Sequence, residues 1–134
     1  MDVGAVMDDL GDALSAIDGL RIYPYWADSI QPPAAIVEFP EALDYDRTLR
    51  RGSDDFSVPV VVMVARRDGR SSRDRLAKFA AGSGTDSVKA AIEAHTPTTY
   101  HSARVERVRF DTAQVAGVDY LAATFTVHLI GPGS

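Results

Sequence analysis

The chain contains no cysteine in its 134 residues. That absence excludes thiol catalysis, thiolate metal sites and a disulfide scaffold, and it leaves the redox compartment open. Long apolar runs are missing as well: none approaches the ~18 to 20 residues that a membrane helix needs, so the expectation is a soluble protein that does not contact a membrane. Histidine is scarce. His95, His101 and His128 are dispersed, with no HxH or HxxxH spacing to bring two imidazoles onto one metal ion. His128 falls on the polar face of an expected strand and His95 at the end of an expected helix, whose dipole favours a cation, so surface and cap roles are expected. One sequence leaves a Ser-His-Asp arrangement open, but no serine stands in the GxSxG setting of a nucleophile elbow, which disfavours hydrolase chemistry. The start, Met1-Asp2-Val3-Gly4, has neither a basic stretch nor a following apolar run of signal type, which reads as an intracellular product.

A surplus of positive charge is also lacking, since the net charge is -5. Phosphate affinity depends on a basic surface and counterion release, so a general nucleic-acid binder is disfavoured. Charge is informative by position. Residues 1–46 carry one Arg against ten Asp and Glu, a balance of -9, whereas residues 47–78 carry nine Lys and Arg against four acids, a balance of +5. Such an acidic end and basic middle suit attraction between copies of the chain, although charges solvated on folding would give the same count.

The length fits one domain, and the residues present have clear periodicity. Val3, Met7, Leu10, Leu14 and Ile17 form the stripe of an amphipathic helix, with Asp8, Asp9 and Asp12 turned to solvent, and Gly19 is expected to end it with Leu20 folding back. Leu20 to Tyr23 reads as a short strand. Ala34 to Phe39 reads as a second, with Ala35, Val37 and Phe39 on one face. Phe56 to Ala65 is apolar on both faces and therefore central. Pro59 objects to a ladder and is expected near the strand start or at an unpaired edge position. Two short helices follow, begun by the capping-box spacings Ser71/Asp74 and Ser83/Asp86, joined by Gly82-Ser83-Gly84 and stopped at Thr96-Pro97. Two strands close the chain, about 103–110 and 120–130, with a turn around Ala116-Gly117. Val105, Val108 and Phe110 do not share parity, so a bulge is expected near Glu106-Arg107. The order α-β-β-β-α-α-β-β indicates a single α+β domain over residues 1–134. Its mixed, largely antiparallel sheet has about five strands, with an N-terminal helix and a central helical pair packed on it.

Few of these residues point to chemistry. Gly82-Ser83-Gly84-Thr85 opens a helix but lacks a Walker lysine and follows no strand, so it reads as a turn. Asp8, Asp9 and Asp12 read as a solvated face, and no metal or cofactor is expected. The connection from Leu43 to Gly52 mixes Tyr45 and Leu49 with Arg47, Arg50 and Arg51, the residue types enriched at protein interfaces, and these five are the candidate contact residues. A long hairpin would have the same composition. A second basic group, Arg66, Arg67, Arg70, Arg73, Arg75 and Lys78, has no interleaved aromatic platform for bases.

Five stretches carry a resemblance in their order. They are Ile17-Asp18-Gly19-Leu20-Arg21-Ile22-Tyr23, Pro32-Pro33-Ala34-Ala35-Ile36-Val37 and Phe56-Ser57-Val58-Pro59-Val60-Val61-Val62. The fourth is Ser71-Ser72-Arg73-Asp74-Arg75-Leu76 with Gly82-Ser83-Gly84 and Ser87-Val88-Lys89-Ala90-Ala91-Ile92. The fifth is Gly117-Val118-Asp119-Tyr120-Leu121-Ala122-Ala123-Thr124-Phe125. They are spread in order from Ile17 to Phe125 along a chain that resembles the tail terminator proteins of long-tailed bacteriophages, especially those infecting actinobacteria. The resemblance implies a non-enzymatic virion subunit without cofactors. It would cap the completed tail tube as a ring, expected to be a hexamer, and end tail polymerisation. It would also form the joint to the head-neck connector. The implied partners are copies of itself, the major tail tube protein and a neck protein, with no sequence-specific nucleic acid although DNA passes through the ring. The implied location is the tail-neck junction of the virion, with assembly in the host cytoplasm. The alternatives are another neck or head-tail connector protein and, behind it, a small nucleic-acid-binding module.

Overall fold

The computed structural model describes residues 2–24, 30–43, 53–66 and 70–132. Their elements follow the expected order: α1 (Val3–Leu14), β1 (Arg21–Tyr23), β2 (Ala34–Val37), β3 (Ser53–Arg66), α2 (Arg70–Ala80), α3 (Val88–Ala94), β4 (Ser102–Val115) and β5 (Val118–Pro132). The five strands form one mixed sheet in the order β1-β2-β3-β5-β4. Only β1 and β2 run parallel; every other neighbour pair is antiparallel. The fold is therefore α+β.

β3 sits inside the sheet, and both of its faces are apolar for that reason. Val58, Val60 and Val62 are fully buried on the face that the helices cover, together with Phe125, Val127 and Leu129 of β5 and Leu10 and Leu14 of α1. Burying a Val or Leu side chain contributes about 1.5–3 kcal/mol, so this layer supplies most of the drive to fold. A smaller cluster lies on the opposite face, where Ile36, Val61, Met63, Val115 and Ala122 are buried and Tyr23, Ile30, Ala113 and Tyr120 pack against them.

Alternation and turn chemistry decide β4 and β5. The register slips between Val105 and Arg107, placing the expected bulge at Glu106. The slip puts Val105 and Val108 on the helix-covered face together. Phe110 shares their parity but is 58 % exposed. Val115 pairs with Val118 across a two-residue turn in which Ala116 and Gly117 have φ of 52° and 80°. Positive φ at both positions matches the twist of an antiparallel hairpin. At the bulge, α3 covers the outer edge of β4: Glu93 accepts the Val105 N–H at 3.0 Å and Lys89 donates to the Val105 carbonyl at 3.3 Å.

Several expectations are corrected. α1 ends at Leu14 with Ser15 as its cap, and Gly19 (φ 78°) instead turns the chain into β1. Ser15 donates its hydroxyl to the Asp12 carbonyl, which ends the helix locally before the glycine is reached. α2 already includes Ser71 and Asp74, so their spacing is no cap. The cap of α3 is Ser87, accepting the Ala90 N–H at 3.1 Å, and not Ser83. β2 stops at Val37, leaving Phe39 71 % exposed and off the core face.

Pro59 lies in the middle of β3 and explains that stop. Its carbonyl accepts the Glu38 N–H at 2.9 Å, on the β2 side of the strand. A strand residue's N–H and C=O point to the same side, so the donor that proline lacks is missing from the β2 ladder at that step, and β2 ends one residue earlier. The β5 ladder on the other side is unaffected, with Pro59 opposite Thr126. Among the described residues no helix is long and apolar enough to cross a membrane.

Candidate functional site

The sheet face away from the helices holds a groove of about 410 Å³ lined by Glu38, Phe39, Glu41, Ser57, Pro59, Arg107, Arg109, Thr124 and Thr126. Register places its floor in rows across the strands. Glu38 bonds to Pro59, Pro59 pairs with Thr126, and Thr126 pairs with Arg107. The next row runs Val61, Thr124, Arg109. The first row runs from an acid just past β2 to a base on β4, and the second from buried Ile36 on β2 to Arg109. Three strand spacings of about 4.8 Å separate the backbones of Glu38 and Arg107 by ~14 Å. Among the described residues, no ion pair engages Glu38, Glu41, Arg107 or Arg109. Burial pushes the Glu38 carboxyl above its ordinary pKa. Hydroxyls of Ser57, Thr124 and Thr126 complete a floor that donates and accepts hydrogen bonds, while exposed Phe39 supplies an apolar rim.

A second polar constellation joins the helices. Asp9 is 6 % exposed, which corrects the expectation of a solvated acidic face for this residue. Its carboxylate accepts bonds from His95 Nε2 (2.7 Å), the Thr98 N–H (2.9 Å), the Thr99 N–H (3.0 Å) and the Thr99 hydroxyl (2.8 Å). Burial alone would raise this carboxyl, but those donors outweigh it and hold the pKa at about 2. Tyr100 is buried beside this network with its hydroxyl unpartnered among the described residues, and burial plus the Asp9 charge pushes it up to about 12. In a catalytic triad the imidazole bridges carboxylate and nucleophile, whereas here the carboxylate bridges His95 and Thr99. The arrangement pins α1 to the segment between α3 and β4.

The expected site residues Tyr45, Arg47, Leu49, Arg50 and Arg51 lie outside the described residues. Of the second basic group, Arg73 pairs with Asp74 at 3.1 Å, and Arg75 and Lys78 share a shallow depression with Asp18, Asp74 and Asp86. Acids thus interrupt the described part of that group. His95 is both the cap of α3 and a partner of Asp9, and His128 lies 3.9 Å from Asp55 and 3.7 Å from Glu106 on the open face. His101 is exposed. Among the described residues no group of His, Asp and Glu is placed to hold a metal ion. Gly82-Ser83-Gly84-Thr85 is the turn before α3, with Gly84 at φ 107°.

Neither the protein-family models nor the curated proteins compared with the chain match it. The groove escaped sequence reasoning because its walls are about 70 residues apart in the chain; only the alternation of Arg107 and Arg109 with Val108 hinted that β4 turns charge to the uncovered face.

Proposed function

We propose that the protein is a structural virion subunit that caps a completed phage tail tube as a ring, ends tail polymerisation and forms the joint to the head-neck connector. The observation that carries this reading is the ordered resemblance spread from Ile17 to Phe125. Its five stretches fall on consecutive parts of one domain: the approach to β1, then β2, β3, the helical pair, and the turn into β5. The opposed balances of residues 1–46 and 47–78 support contact between copies. A heterologous head-to-tail contact closes into a ring when its rotation permits.

On this reading the partners are copies of the chain, the major tail tube protein and a neck protein, and no reaction is catalysed. The test is electron microscopy of the purified protein mixed with tail tubes. The expected result is a ring at one end of each tube and tubes that no longer grow when tube protein is added. Tubes that elongate unchanged would overturn the reading, and binding at a head-neck assembly without tube capping would assign the protein to the connector.

A further inference from the structure

We propose that the groove on the open sheet face is the seat for residues 44–52 of a second copy, so that each subunit inserts this segment into the next. The inference rests on the ring reading and names the contact that would build it. Three observations converge on it. The first is charge: the groove sets Glu38 and Glu41 against Arg107 and Arg109, all four without an ion pair among the described residues, and the segment carries Asp44 and Asp46 followed by Arg47, Arg50 and Arg51. Both partners have two signs, and each sign has a complement. The second is span. Asp46 and Arg50 are four residues apart, ~13 Å when extended, close to the ~14 Å between the backbones of Arg107 and Glu38. The segment would cross the strands with its acids over β4 and its arginines over the end of β2.

The third observation is the apolar rim. Phe39 is 71 % exposed where the groove opens, the most exposed large apolar side chain among the described residues. Leu49, next to Arg50 at the β2 end, is the matching anchor in the segment. Its burial would supply affinity, while the charges set direction and register.

The test uses two charge-swapped variants of the full chain. One carries Arg107→Glu and Arg109→Glu, which makes the groove acidic throughout. The other carries Asp44→Arg and Asp46→Arg, which makes the segment basic throughout. Melting curves like the parent's establish that both fold, and light scattering up to millimolar concentration reads the mass. The parent is expected to associate, each variant alone to weaken association at least 10-fold, and an equal mixture to recover it. In the mixture every junction is matched when the two variants alternate around the ring. Variants that associate like the parent, or a mixture that stays dissociated, overturn the groove assignment while leaving tube capping to stand on its own assay. A parent that remains monomeric throughout overturns the self-contact itself.

Discussion

The two faces of the sheet use the same strands differently. On the covered face Val58, Val60, Val62, Phe125, Val127 and Leu129 are at most 1 % exposed, and three helices close over them. On the open face the alternate positions of those strands include Ser57, Pro59, Thr124 and Thr126, bordered by Glu38, Glu41, Arg107 and Arg109, which form no ion pair among the described residues, and the apolar cluster is confined to the end near the β4–β5 turn. The larger core therefore lies on one face, and the other combines a smaller core with a polar groove. Alternation makes this division possible, because a single strand can present a core to one side and a binding surface to the other.

The largest expected effect comes from truncating the covered face. Phe125→Ala removes a side chain 1 % exposed and is expected to cost about 3–5 kcal/mol, whereas His128→Ala, three positions along on the open face, should cost only a few tenths. Denaturant midpoints measure both. Equal shifts would break the contrast between the faces.

Next in size is the polar lock under the helices. Asp9→Ala leaves the Thr98 and Thr99 N–H groups and the His95 ring without their acceptor, and should cost about 2–4 kcal/mol. The same carboxylate predicts acid sensitivity. Its folded pKa of about 2 is below the ordinary 3.8. The stabilisation is therefore complete above pH ~4 and is lost as pH falls toward 2, amounting to about 2 kcal/mol. In the Ala variant this part of the pH dependence between 4 and 2 should disappear, as urea titrations at stepped pH would show.

A smaller gain is expected at the hairpin tip. Ala116 holds φ 52°, a conformation that costs an L-residue with a Cβ about 1 kcal/mol, and Gly117 follows it. Ala116→Asn creates the Asn-Gly pair that such turns favour and should stabilise by ~0.5–1 kcal/mol, read as a higher midpoint.

Which of these features the sequence reveals depends on how local their causes are. The broken parity of Val105, Val108 and Phe110 requires a bulge, and the Ala116-Gly117 pair places the turn, because both follow from neighbouring residues. The element order is legible for the same reason. Asp9 is different: within the helix it reads as one of three solvated acids, and its burial is caused by donors 86 to 90 residues away. Pro59 is intermediate. Its missing donor is evident in the sequence, but which neighbour loses a bond follows only from the order of strands around β3. Phe39 continues an alternation that the ladder beside Pro59 cuts short, and the groove exists only once β2 and β4 face the same side of one sheet.

The smallest expected change in stability accompanies the largest expected change in assembly. Replacing Leu49, Arg50 and Arg51 together with Ser touches the connection between β2 and β3, where substitutions away from packed or capped positions shift stability by about 0.5 kcal/mol or less. Long connections commonly carry contacts, and the one between Val37 and Ser53 is longer than a simple hairpin needs. Exposed ion pairs contribute only ~0–1 kcal/mol each, so losing Arg50 and Arg51 alone would chiefly slow and misdirect the encounter. In the proposed contact, loss of Leu49 removes the aliphatic anchor, leaving Tyr45 as the only large apolar side chain in residues 44–52. The triple variant should melt like the parent yet fail to cap tubes in the microscopy assay. If it capped them as well as the parent, the open sheet face would lose its place as the contact face, and the contact would have to move to α1, with its exposed Asp8 and Asp12, and to the basic residues from Arg66 to Lys78.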